Sequence, residues 1–260
     1  MTKNDGGGAD KLVLPAKGLP NPKTLRWAHS TCSKDELEKA LLDEDINAIE
    51  ADIVMGHHHK EKEDDEKAAE DEKVSSTTTN SISITEPVMA HPPNTISDLS
   101  FEGFIHRCTT KDCSRQQQHH QYKHLKLDFK DIETIEPALN TLKKSIIQVD
   151  ENNSNLNSTS TTTTFDKSIF LNADILKGPG CNTKNQQLAV IDADKFMEKC
   201  LLFINNLITS QEEDLSKRRI IMSLGWKVDC RSFYGYTDLQ IKEMKDIIEK
   251  YDIMNRTGGK

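Results

Sequence analysis

Apolar and polar positions alternate strictly in HLKLDFK (124–130). Leu125, Leu127 and Phe129 share one side of an extended chain, and Lys126, Asp128 and Lys130 share the other. The same split recurs in AIEADIV, where Ile49, Ala51 and Ile53 oppose Glu50 and Asp52, and in IFLNADI, where Leu171, Ala173 and Ile175 oppose Asn172 and Asp174. With LRWAH (25–29), PVMAH (87–91) and RIIMSLGWKV (219–228), the segments 48–55, 124–130 and 168–175 make six predicted strands. Between them lie runs with apolar residues at helical spacing: SKDELEKALLDED (33–45), IETIEPALNTLKKSI (132–146), DADKFMEKCLLFINNLI (192–208) and TDLQIKEMKDIIEKY (237–251). The first opens with Ser33 and carries Glu36 three residues on, the signature of a capped helix start.

Strand followed by helix, repeated, predicts a parallel sheet with helices outside it. A doubly wound sheet is buried on both faces and makes its strands almost continuously apolar. One charged face on several strands instead predicts an α/β fold of the TIM-type (β/α) barrel, with helices over the outside and the chemistry on an inner rim.

The chain has 260 residues, with 34 Lys and Arg against 42 Asp and Glu for a formal charge of −8, which argues against nucleic acid or an anionic membrane surface as the main partner. No window of about 18 apolar residues and no leader-like start are present, so a cytoplasmic protein without a transmembrane segment is expected. Six scattered cysteines read as free thiols. Residues 1–22 are rich in Gly, Lys and Pro and read as a loose arm ahead of one barrel domain, 23–260. Within that domain, 57–85, 114–121 and 151–164 read as low-complexity loop insertions; the stretch 60–73 alone holds eight acids and four lysines. Without the arm and insertions the chain falls short of the roughly 250 residues of an eight-unit barrel, so the barrel is expected to be incomplete at its C-terminal side.

On a barrel rim the strand ends bring together His29, Glu50 and Asp52, His91, Asp128, and Asn172 with Asp174. Three carboxylates from neighbouring strands suit a hard divalent cation, Mg²⁺ or Ca²⁺, which prefers oxygen donors. Two flanking histidines suit a base and an acid in phosphodiester cleavage. A rival cluster of nitrogen and sulfur donors, His106, Cys108, Cys113, His119, His120 and His124, offers a zinc-like set, but it lies in a Gln/His tract.

Taken in order, WAHS, EAD, MAHPP, SDLSFEGFI, LKLDFK, FLNADILKGPG and SLGW resemble the menorin family over roughly 25–251. That family looks related to the glycerophosphodiester phosphodiesterases and the phospholipase-C-like superfamily. The resemblance implies that His29 and His91 are the catalytic pair and that Glu50, Asp52 and Asp128 hold the metal. Glycerophosphodiesterases typically follow the first histidine with Arg-Gly, where this chain has Ser30-Thr31, so Lys126 or Lys130 is left to face a phosphate. Asn172 and Trp226 are further candidates for substrate contact, and Asp174 for support behind the ligands. The implied function is metal-dependent hydrolysis of a phosphodiester, either a small molecule or a lipid headgroup. The alternative is a non-catalytic barrel that binds a protein partner, because a shared fold does not transmit an activity.

Overall fold

The computed structural model describes residues 20–59, 85–110, 122–154, 167–181, 189–209, 220–229 and 234–251, with side chains omitted for 146–154 and 208–209. Most of the expected arm and insertions fall outside these residues. In chain order the elements are β1 (Trp27–Ala28), α1 (Lys34–Leu42), β2 (Ala48–His58), β3 (Thr85–Met89), β4 (Ile96–Ser97), α2 (Phe101–Thr109), β5 (His124–Phe129), α3 (Ile135–Ser154), β6 (Ile169–Lys177), α4 (Ala193–Thr209), β7 (Ile220–Lys227) and α5 (Asp238–Lys250).

The parallel sheet runs β1-β2-β5-β6-β7, with helices between successive parallel strands. Ile49 pairs with Leu125, which pairs with Ile169, which pairs with Ile220; three residues further along, and so on the opposite face, Asp52, Asp128, Asn172 and Ser223 form one cross-sheet row. Register therefore keeps each face chemically uniform from strand to strand.

The outer face carries Ile49, Ala51, Ile53, Leu125, Leu127, Phe129, Ile169, Leu171, Ala173 and Ile175, all buried. They pack under Leu37 of α1, Phe104 and Ile105 of α2, Leu139 and Leu142 of α3, and Phe196 and Cys200 of α4. Burying each large aliphatic side chain contributes about 1.5–3 kcal/mol, which makes this layer the main source of cohesion. Phe129 meets Phe196 edge-on, with centroids 6.1 Å apart.

The sheet is curled. β1 and β6 are three strand positions apart, a separation of roughly 14 Å in a flat sheet. Yet the rings of Trp27 and Phe170 meet edge-on across the inner face with centroids 5.8 Å apart. The result is a half-barrel of five parallel strands with a polar concave side.

PVMAH does not add a parallel strand to this path, as the strand-after-strand reading had it. β3 runs antiparallel to the far half of β2, Ile53 facing Met89 and His57 facing Thr85. β2 reaches three residues past the expected end at 55, which provides the edge for that pairing. The loop after β3 then returns so that β4 pairs with β2 at His57 and His58. Gly56 permits this crossing: a Cβ there would lie 2.0 Å from Thr95 O. α2 was not legible as a helix in SDLSFEGFI; Ser100 caps it by accepting from Gly103 N at 3.1 Å. α1 starts as expected, with Ser33 accepting from Glu36 N at 3.3 Å. α3 continues to Ser154, so the insertion expected from 151 begins in helix.

Candidate metal centre and its two histidines

Glu50 and Asp52 sit on the concave side of β2, and Asp128 faces Asp52 directly from β5. All three are buried, at 3%, 2% and 7% exposure, and each presents one oxygen within 4.8 Å of the others. Carboxylates this close repel one another and lose hydration on burial, so the arrangement needs cationic or hydrogen-bonding partners. The chain supplies several.

Ser30 N donates to Glu50 Oε2 at 2.7 Å, from a left-handed backbone conformation with φ 56° that is uncommon outside glycine. Burial is the main influence on Glu50 and raises its pKa above the ordinary glutamate value. The Ser30 N–H, His29 and Lys126 act against that rise, and Asp52 adds to it. Lys130 Nζ lies 2.9 Å from Asp52 Oδ1 and 2.7 Å from Asp128 Oδ2. Burial works against the Lys130 ammonium, but these two carboxylates outweigh it and hold its pKa above the ordinary lysine value. Asn172 Nδ2 donates to Asp128 Oδ1 at 2.8 Å, and Ser223 Oγ donates to Asn172 Oδ1 at 2.7 Å.

The two histidines reach the same cluster from loops that the sheet itself fastens. After β1, Thr31 N donates to Glu50 O at 3.0 Å, and His29 Nε2 stands 3.5 Å from Glu50 Oε2. After β3, Ala90 N donates to Asp52 O at 3.1 Å, and His91 Nε2 stands 3.8 Å from Asp52 Oδ2. Each imidazole therefore lies over the carboxylate whose own backbone anchors its loop. Both remain open to solvent, with side chains 80% and 65% exposed. His91 Nδ1 is 2.7 Å from Pro92 O, a contact that, with the proton on Nδ1, leaves Nε2 as the acceptor facing the cluster.

The remaining sequence candidates spread out from this centre. Lys126 pairs in register with Glu50 and Phe170, one step below the acidic row. Asp174 lies above it, 3.8 Å from Lys227 Nζ; burial foremost, then the Asp128 charge, raises its pKa against the pull of Lys130, Lys227 and Lys126. Trp226 is not brought to the cluster: it packs on Tyr236, centroids 4.8 Å apart, at the end of β7. Gly225 escaped the sequence reading. A Cβ there would lie 2.5 Å from Asp174 Oδ1, so its absence is what gives that carboxylate room. Ser223 also escaped it, because a serine in an apolar strand carries no signal until register places it beside Asn172.

Of the zinc-like set, Cys113, His119 and His120 lie outside the described residues. His124 Nδ1 accepts from Ser168 N at 3.0 Å, and Cys108 is in the core. Cys32, Cys108, Cys181 and Cys200 are free thiols. No helix among the described residues is long and apolar enough to cross a membrane.

Residues 21–256 match the family model of the menorin N-terminal domain. The chain belongs to the menorin family. The human protein FAM151B is similar at 26% identity over 166 residues, which is 63% of this chain and 44% of that relative. The chain thus spans under half the length of that curated relative. No solved structure matches. The menorin-family sequence is therefore folded, in its described part, as a half-barrel with a buried acidic triad under two histidines.

The donor set fits a hard divalent cation. It offers three carboxylate oxygens from two adjacent strands, and Lys130 Nζ already contacts Asp52 Oδ1 and Asp128 Oδ2.

Proposed function

We propose that this menorin-family domain is a metal-dependent phosphodiesterase-like protein that hydrolyses a phosphodiester, small or lipid-borne, on the concave face of its sheet. The observation that carries the reading is the placement of two solvent-open imidazoles, His29 and His91, over a buried triad of Glu50, Asp52 and Asp128. Glu50, Asp52 and Asp128 would hold Mg²⁺ or Ca²⁺, which when bound neutralises charge on a phosphoryl oxygen.

The histidines approach from different loops, so one can take a proton from the attacking oxygen while the other gives one to the leaving oxygen. Glu50 stands 3.5 Å from His29 Nε2 and Asp52 3.8 Å from His91 Nε2, so each carboxylate orients one ring nitrogen toward the cluster. Lys126, on the inner face beside Glu50, is the cation we assign to the substrate's charge, and Asn172 with Ser223 keeps Asp128 oriented. The curled sheet supports the wider reading of this region as part of a (β/α) barrel, the fold in which strand ends build the active site.

The test is turnover of a panel of lipid and soluble phosphodiesters with Mg²⁺, Ca²⁺ or chelator. Metal-dependent hydrolysis that drops at least a hundredfold in His29→Ala, His91→Ala and Glu50→Ala supports the reading, on the scale of lost acid–base catalysis. Hydrolysis unchanged in these variants removes it. One observation favours the non-catalytic alternative, a protein-binding module: Lys130 already offsets part of the triad's charge without any metal. A folded sample with no turnover on any substrate, but with a protein partner retained by this face, would favour it.

A further inference from the structure

Lys130 follows β5 directly, and its backbone N–H donates to Ile53 O at 3.1 Å, which fastens it between β5 and β2. From there the side chain, 17% exposed, turns over the acidic row and bridges Asp52 and Asp128 at 2.9 and 2.7 Å. These are two of the three carboxylates that converge within 4.8 Å. A cation of the chain's own is thus seated on the ligands that a divalent ion would need. An ammonium and a divalent ion drawing on the same carboxylates repel each other strongly at such range in a partly buried site. The ammonium also has somewhere to go: a four-carbon stem lets its head move toward the rim without disturbing the strand.

We infer that Lys130 is a tethered counter-cation that holds the carboxylate cluster together in the absence of metal and competes with the divalent ion for Asp52 and Asp128. This rests on the metal-site reading above and sets the affinity of that site. The aspartates stay paired whether the ion is present or not, and an ion enters only if it outbids an ammonium already in place. The geometry of Lys130, not the number of acidic groups, then decides how tightly the cluster takes an ion.

The test is calorimetric titration of the chelator-stripped full chain with CaCl₂ and, separately, MgCl₂, comparing wild type with Lys130→Met, which keeps the apolar stem and removes the charge. Competition predicts that Lys130→Met binds about tenfold tighter or more. Wild-type binding with Lys130→Met equal or weaker overturns the inference and leaves the metal site standing. Binding by neither protein removes both.

Lys130→Met can fail to fold, since it leaves two buried carboxylates without their ammonium, so a second measurement uses wild type alone. Amine acylation read by mass spectrometry should label Lys130 faster once Ca²⁺ or Mg²⁺ is added. Lys123, whose ammonium donates to Asp43 O and Ile46 O at 2.6 and 2.5 Å, should not change. Labelling of Lys130 that slows or stays constant on adding an ion that binds overturns the inference.

Discussion

The Ser223 hydroxyl donates to Asn172 Oδ1 at 2.7 Å, and that bond fixes which way the Asn172 amide points. With its oxygen engaged by Ser223, the amide presents Nδ2 to Asp128, 2.8 Å away. A three-strand relay from β7 through β6 to β5 therefore orients one carboxylate of the triad. Ser223→Ala should cost about 1 kcal/mol in urea unfolding. Asn172→Asp should cost more, about 1–3 kcal/mol in chelator, because it sets a fourth carboxylate against Asp128 where a donor stood. Equal stability of Asn172→Asp and wild type would show that the relay does not hold Asp128.

Gly225 leaves the space that Asp174 fills. An alanine Cβ at 225 would lie 2.5 Å from Asp174 Oδ1 and 3.3 Å from Ala173 O. Gly225→Ala should destabilise by about 1–3 kcal/mol, the usual range for overpacking. Most of that loss should vanish when the same change is made in an Asp174→Ala background. Additive losses in this cycle would place the strain elsewhere, at the Ala173 carbonyl.

Asp174 should also leave a signature in the pH dependence of stability. Burial, with the Asp128 charge, raises its folded pKa, so the folded chain holds this proton at pH values where the unfolded chain has released it. Its contribution is therefore full below the ordinary aspartate value and is lost as pH rises through the folded value. In chelator, Asp174→Asn should gain stability relative to wild type as pH rises from about 4 to 6. A difference that stays flat over that range contradicts the assignment.

Much of this was legible in the sequence because the alternation was strict. HLKLDFK and AIEADIV each have one oily and one charged side, and a half-buried strand has one way to satisfy both. The oily sides of β2, β5 and β6 became the helix-covered core, and their charged sides became one concave face. That was enough to bring Glu50, Asp52, Asp128 and Asn172 together on paper.

What stayed hidden depends on register and on pairing between distant segments. PVMAH reads as a strand whichever way it runs; only the extension of β2 to His58 offers it an antiparallel edge. The same hairpin end still delivers His91 to Asp52, because Ala90 N bonds to Asp52 O. Lys126 or Lys130 read as the phosphate-facing cation; strand periodicity gives the side of a residue, not the reach of the flexible stem that takes Lys130 to both Asp52 and Asp128. Ser223 and Gly225 gained meaning only from what faces them across β6.

We propose Glu50, Asp52 and Asp128 as a divalent-cation seat beneath His29 and His91. Crystals of the protein grown or soaked with Mn²⁺, measured for anomalous scattering, test it most directly. The expected result is a peak bonded to oxygens of all three carboxylates at roughly 2.1–2.4 Å, absent in Asp52→Asn crystals treated alike. Mn²⁺ bound only at other places, with Lys130 still bridging Asp52 and Asp128, would contradict it.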